Sequence, residues 1–239
     1  MLTLSLVSKT LPRLPTAKRR LAILAAVRET FAEKGFHGTT TRELARAAGI
    51  SEALMLRHFP TKDALYAAVL QSSCHRDPKT ESEFRRLMAL PPSTSTLVLI
   101  VNVWFSRIIQ ASQRAQAGAG SLHKLMLQSL QGNGDFARVF LKRGPALFIA
   151  KIEPCLDAAI KAGDAVRTPV KRNVRGWFAH HLAVTILLYC LPKSPVVDYG
   201  MSREKLSEQA ALFALRGMGL KDKAITRHRR PKALSASAG

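Results

Sequence analysis

The run Thr39 to Leu65, TTTRELARAAGISEALMLRHFPTKDAL, contains two short helical patterns joined by Ala48-Gly49-Ile50, and this narrows the fold more than any other segment. Two helices fixed at an angle by a tight turn make a helix-turn-helix, in which the first helix braces and the second projects side chains outward. The local chemistry fits. Thr40 and Glu43, three apart, have capping-box spacing, so each side chain can satisfy a backbone N–H at the start of the first helix. Leu44, Ala45 and Ala48 give it a small apolar stripe that lets the second helix come close. Gly49 tolerates the left-handed conformation that ends a helix, Ile50 can pack back on the core, and Ser51 can cap the second helix. Met55 and Phe59, four apart, face inward, which leaves Glu52, Ala53, Leu56, Arg57 and His58 on the outer side.

The surrounding pattern adds a resemblance. The run RRLAILAAVRETFAEKGFHGTTTRELARAAGISEALMLRHFPTKDALYAAVL resembles the N-terminal domain of the tetracycline-repressor (TetR) family of bacterial transcription regulators. The pattern is specific because its parts occur in order: Ile23/Ala26/Phe31, Gly35-Phe36, Thr39-Thr40, Ala48-Gly49-Ile50-Ser51 and Phe59-Pro60-Thr61-Lys62-Asp63. It runs from Thr16 to Gln71. The resemblance implies an all-α protein, with an N-terminal three-helix DNA-binding domain followed by a helical ligand-binding and dimerisation domain. Members carry a Tyr where this chain has Leu56, whose side chain cannot donate a hydrogen bond to a phosphate. That contact is either missing here or taken over by Arg57 and His58.

The expected DNA-facing set is Thr39, Thr40, Thr41, Arg42, Ser51, Glu52, Ala53, Leu56, Arg57, His58 and Lys62. Arg57 can pair bidentately with guanine, and Ala53 and Leu56 suit a thymine methyl. Thr40, Thr41, Arg42 and Lys62, at or beside helix starts, suit phosphates. Lys9, Arg13, Lys18, Arg19 and Arg20 could add a basic minor-groove arm, although a frayed terminus is the simpler reading. A formal charge of +21, spread along all 239 residues, agrees with a nucleic-acid partner and a steep salt dependence. The same charge leaves open a nonspecific, architectural DNA binder.

Periodicity and breakers divide the chain into an arm over 1–15, the DNA-binding domain over 16–76, a helical domain over 77–220 and a basic, disordered tail over 221–239. Helices are expected over 16–34, 96–117, 121–131, 135–162, 170–191 and 202–218, besides those already placed. A short helical piece over 82–89 lies in a Pro-rich junction, and no segment shows strand alternation. If the resemblance holds, Asn102, Trp104, Phe105, Arg107, His123, Met126, Phe148, Trp177 and His181 are candidates to line an effector cavity, although an aromatic at helical spacing is more often core. Helices 170–191 and 202–218, apolar on more than one face, are candidates for a homodimer interface. One recognition helix alone makes few base contacts, whereas two read a palindromic operator.

Several classes are disfavoured. Cys74, Cys155 and Cys190 are odd in number and far apart, as in a reducing cytoplasm. His180-His181 do not share a helix face, so no metal is expected. No nucleophile elbow, P-loop or zinc-protease motif occurs, so neither an enzyme nor a cofactor is expected. The strongly apolar stretches Leu97–Phe105 and Leu182–Leu191 are short of a bilayer span, and no export signal is evident.

Overall fold

A computed structural model of the chain describes residues 16–73, 78–114 and 121–229. Among these residues twelve helices follow one another: α1 (Thr16–Lys34), α2 (Thr41–Ala47), α3 (Glu52–His58), α4 (Lys62–Ser73), α5 (Pro78–Ala89), α6 (Thr94–Arg114), α7 (Ser121–Gln131), α8 (Asp135–Arg143), α9 (Pro145–Lys161), α10 (Arg172–Tyr189), α11 (Arg203–Gly217) and α12 (Asp222–His228). The fold is all-α. The described residues contain no strand, only one isolated antiparallel bridge between Ala165 and Leu220. The chain divides into two compact units, one ending at Ser72 and the other starting at Ser73.

The first unit is built on one stripe of α1. Ile23, Leu24, Val27, Phe31 and Ala32 are buried, whereas Ala26 of the family pattern is only half-buried. Leu44, Met55, Phe59, Leu65 and Val69 complete this core from α2, α3 and α4 and the α3–α4 turn. The Phe31 ring meets Tyr66 edge-on, with centroids 5.0 Å apart.

The second unit is organised around α6, which packs against α9, α10, α11 and α12. Leu97, Ile100, Val101, Phe105 and Ile109 from α6 meet Phe148, Ile152 and Leu156 from α9, Ala183 and Ile186 from α10, and Ala211 and Leu215 from α11. By length and composition α6 could cross a membrane, but half of its apolar window is buried within this unit. Cys155 and Cys190 are buried, and burial pushes both thiols above their ordinary pKa. Cys74 lies outside the described residues.

Three expectations need correction. The helix anticipated over 135–162 is two helices, because Gly144 adopts a non-helical conformation and Pro145 starts α9 where its missing N–H costs nothing. The junction helix begins at Pro78 rather than at 82. The tail is not disordered from 221: α12 buries Ala224 and Ile225. The amide of Lys221 donates to the Asp164 carbonyl at 2.9 Å, and Arg216 grips Asp222 at 2.6 and 3.0 Å. The buried Asp164 carboxylate accepts from Thr94 at 2.8 Å and lies 3.3 Å from Arg227 and 3.6 Å from His228. It thereby ties α12 to the start of α6. Composition alone cannot reveal such a clasp, because Asp164 is far along the chain from both Thr94 and α12.

Candidate functional site

The helix pair in the first unit follows from its caps. Thr40 Oγ1 accepts from the Glu43 amide at 3.2 Å, and Glu43 Oε2 accepts from the Thr40 amide at 2.9 Å, so both halves of the capping box are made. Gly49 has a φ of +63°, and the Ile50 amide reaches back to the Ala45 carbonyl at 3.1 Å. Ser51 Oγ accepts from the Leu54 amide at 3.2 Å and starts α3, and Thr61 accepts from the Ala64 amide at 3.0 Å and starts α4.

A third cap partner adds a pH dependence. Lys34 donates to Glu43 Oε1 at 2.9 Å, and this bond, then those from Thr40, holds the Glu43 carboxyl down at about 2. A depressed carboxyl contributes stability that is present above its unfolded value of about 4.5 and lost as pH falls toward 2. Protection of the α2 amides, corrected for the intrinsic pH dependence of exchange, should therefore fall between pH 4.5 and 2 in the full chain, and Glu43→Gln should flatten that profile. A profile identical in wild type and variant would show that the carboxylate does not support the cap.

Met55 and Phe59 are buried, so α3 turns its other side outward. Glu52, Ala53, Leu56 and Arg57 are exposed at i, i+1, i+4 and i+5, one continuous face, and Leu56 is 40% exposed. Ser51, Thr40 and Arg42 are exposed beside it, whereas Thr41 and His58 are half-buried. Two members of the expected set sit differently. Thr39 is buried, and its hydroxyl donates inward to the Phe36 carbonyl at 3.1 Å, which leaves it no side-chain group to offer a phosphate. Lys62 spends its ammonium on the Phe36 and Thr39 carbonyls at 2.9 and 2.8 Å and lies over the Phe36 ring, so it ties α4 to the turn before α2. Sequence patterning gave both residues outward roles because their partners are fixed only by the packing of α1 and α4.

Lys9 and Arg13 lie outside the described residues, and Lys18, Arg19 and Arg20 belong to the first turns of α1. Arg20 donates to the His58 carbonyl and stacks its guanidinium over Phe59, 4.2 Å from the ring centroid. It braces the C-terminal end of α3. No local signal in the sequence joins residues that far apart.

The second unit has a narrow apolar pocket between α6, α9 and α10, with room for about one water-sized molecule. Trp104, Phe105 and Phe148 of the expected set line it. The others do not: Asn102 donates to the Val98 carbonyl of its own helix at 2.7 Å, and Arg107 is paired with Glu83 at 2.6 Å. His123 and Met126 sit on α7, Trp177 leans on His180 and His181, and His181 is exposed. Sequence inspection missed His180, Gly176 and Ile149 as lining residues. The buried run Ala179, Ala183, Ile186 could have indicated that His180 is the inward member of the histidine pair. Among the described residues no group of three or more His, Cys, Asp or Glu could hold a metal ion.

Two capped helices with an inner apolar seam and an outer face carrying Arg57 define the first unit as a helix-turn-helix of the DNA-binding class. Residues 23–69 match the family described as bacterial regulatory proteins, tetR family. The transcriptional regulator RutR of Escherichia coli is 48% identical over 59 residues, which cover 25% of this chain and 27% of RutR. The transcriptional activator FasR of Mycolicibacterium smegmatis is 34% identical over 101 residues, 42% of this chain and 45% of FasR. This chain thus spans about a quarter to a half of the lengths of these relatives. Among solved structures, a TetR regulator from Agrobacterium tumefaciens aligns over 87% of this chain and 98% of its own, with a TM-score of 0.58 and 18% identity. FadR from Bacillus subtilis, in complex with stearoyl-CoA, aligns over 82% and 98%, with a TM-score of 0.55 and 15% identity. AibR, in complex with isovaleryl coenzyme A and operator DNA, aligns over 82% and 97%, with a TM-score of 0.58 and 16% identity. Over residues 23–69 the chain thus matches the tetR family of bacterial regulatory proteins, and its N-terminal unit is similar to the helix-turn-helix of those regulators.

Proposed function

We propose that this chain is a ligand-responsive repressor that binds a palindromic operator in double-stranded DNA as a homodimer, in the cytoplasm and without catalysis. The observation that carries this reading is the outward face of α3, with Glu52, Ala53, Leu56 and Arg57 presented together on a helix capped by Ser51 and braced by Arg20. Such a face fits the major groove, where Arg57 reads guanine and Ala53 and Leu56 meet a thymine methyl. Thr40, Thr41, Arg42 and Ser51 then serve the phosphates on either side.

The dimer reading rests on α10 and α11. Phe178 and Tyr189 on α10, and Phe213 on α11, are large apolar groups exposed at 61%, 44% and 69%. A second copy would cover them, and two α3 helices about one turn of DNA apart would read the two half-sites. The effector reading rests on the apolar pocket of the second unit. The coenzyme A thioesters seen with FadR and AibR, and the operator DNA seen with AibR, support an effector and an operator here. The ligand acts through its differential affinity for two states of the protein, since a ligand that binds both equally shifts nothing.

Footprinting of genomic DNA with the purified chain identifies the operator, and gel shifts then measure it. Arg57→Ala is expected to weaken operator binding by about 1–3 kcal/mol and to relax discrimination at one base position. An unchanged affinity would remove Arg57 from the base-reading set. The alternative, a nonspecific binder driven by the charge of +21, predicts equal affinity for operator and random DNA at matched salt.

A further inference from the structure

The pocket between α6, α9 and α10 is walled almost entirely by carbon. Trp104, Phe105, Phe148, Ile152 and Gly176 contribute to it, and the one ionisable side chain among its lining residues is His180. That imidazole is only 6% exposed, and its Nδ1 is buried without a hydrogen-bond partner. Its neighbours offer ring edges and faces instead: the Trp104 centroid is 5.6 Å away and that of Trp177 is 5.9 Å away. Burial first, and the adjacent His181 second, push its pKa down to about 4, so it is neutral at physiological pH. A buried polar atom left unpaired costs free energy that a ligand supplying the bond recovers.

We propose that this pocket takes an uncharged apolar molecule carrying one hydroxyl, which bonds to Nδ1 of His180. A neutral imidazole presents one donor nitrogen and one acceptor nitrogen, and a hydroxyl, which both donates and accepts, satisfies Nδ1 in either tautomer. A carboxylate or phosphate would give up its hydration and meet no Lys or Arg among the lining residues. Arg175, the cation next to Gly176 in sequence, is turned to Glu153 at 3.1 Å. At Gly176 an added Cβ would lie 2.7 Å from Ile149 Cγ2, so α9 and α10 approach closely there and the glycine keeps that wall of the pocket thin. The closed pocket has room for about one water-sized molecule, so in this proposal a larger body enters by displacing the Trp104 and Phe148 rings, whose centroids are 3.8 Å apart.

This inference rests on the effector reading above and is tested separately from DNA binding. Isothermal titration of the full chain at neutral pH with 4-ethylphenol, ethylbenzene and 4-ethylbenzoate keeps the body constant and varies only the polar group. The phenol should bind about tenfold tighter than ethylbenzene, and the benzoate weakest of the three. His180→Phe should bring the phenol down to the level of ethylbenzene. As a check that needs no variant, the His180 ring-nitrogen resonances of the wild-type chain should move with 4-ethylphenol and stay in place with ethylbenzene. Equal affinities, a preference for the benzoate, no binding at the solubility limit, or unmoved His180 resonances would each overturn the proposal. Gel shifts on the same preparations keep the two readings apart: operator binding without phenol binding sinks the pocket alone, and phenol binding without operator binding sinks the regulator.

Discussion

Phe31→Ala is expected to cost the first unit about 3–5 kcal/mol, the usual range for removing a fully buried phenylalanine. Its ring is completely buried and touches Tyr66 edge-on, and it shares a core with Val27, Leu44, Met55, Phe59 and Val69. A domain is held by only about 5–15 kcal/mol in all, so the loss is a large fraction of what keeps α3 in place. Amide exchange should show α1 to α4 losing protection while α6, α9 and α11 keep theirs, because the core of the second unit is its own. Operator binding should fall with the same midpoint as that loss of protection. Wild-type protection in α1 to α4 of the variant would mean that the Phe31 site collapses without penalty and that the core is organised around other residues.

The second large effect is expected from Phe178→Asp combined with Phe213→Asp. Both rings are mostly exposed, so charging them should leave the second unit folded. Aromatic anchors at the centre of an interface each carry about 2 kcal/mol or more, so losing two of them should turn a dimer into a monomer by light scattering at micromolar concentration. Without a twin, each chain reaches one half-site only, and operator affinity should drop by a hundredfold or more. A dimer mass that persists in the double variant would place the interface elsewhere; operator affinity that survives in a monomer would end the palindrome reading.

The helix-turn-helix was legible because its determinants are local. Thr40 with Glu43, Gly49 and Ser51 act within five residues of each partner, and the structure makes each of those bonds. Thr39 and Lys62 were misread for the opposite reason. Their side chains look like outward polar groups, yet the turn that carries Phe36 draws both of them inward. The second unit was legible as helices but not as a site. Of two adjacent histidines, helix phase and the approach of α9 at Gly176 decide that His180 enters the pocket and His181 faces outward. The Gly144-Pro145 break was readable in principle, since a glycine before a proline is a start signal, but the apolar pattern running through both helices masked it. The clasp of α12 was beyond local reading, because Asp164 and Thr94 come together only when the bundle is assembled.

The chain has two tryptophans, and both belong to the second unit: Trp104 lines the pocket, and Trp177 lies against His180. Ultraviolet emission excited at the red edge of protein absorbance therefore comes from the neighbourhood of α6 and α10 alone. Changes confined to the first unit act on tyrosine and phenylalanine, whereas anything that parts Trp104 from Phe148, including a shift of state relayed from bound DNA, should alter its colour or yield. The protein thus carries an intrinsic optical gauge for one half of itself, with no dye or label to perturb it.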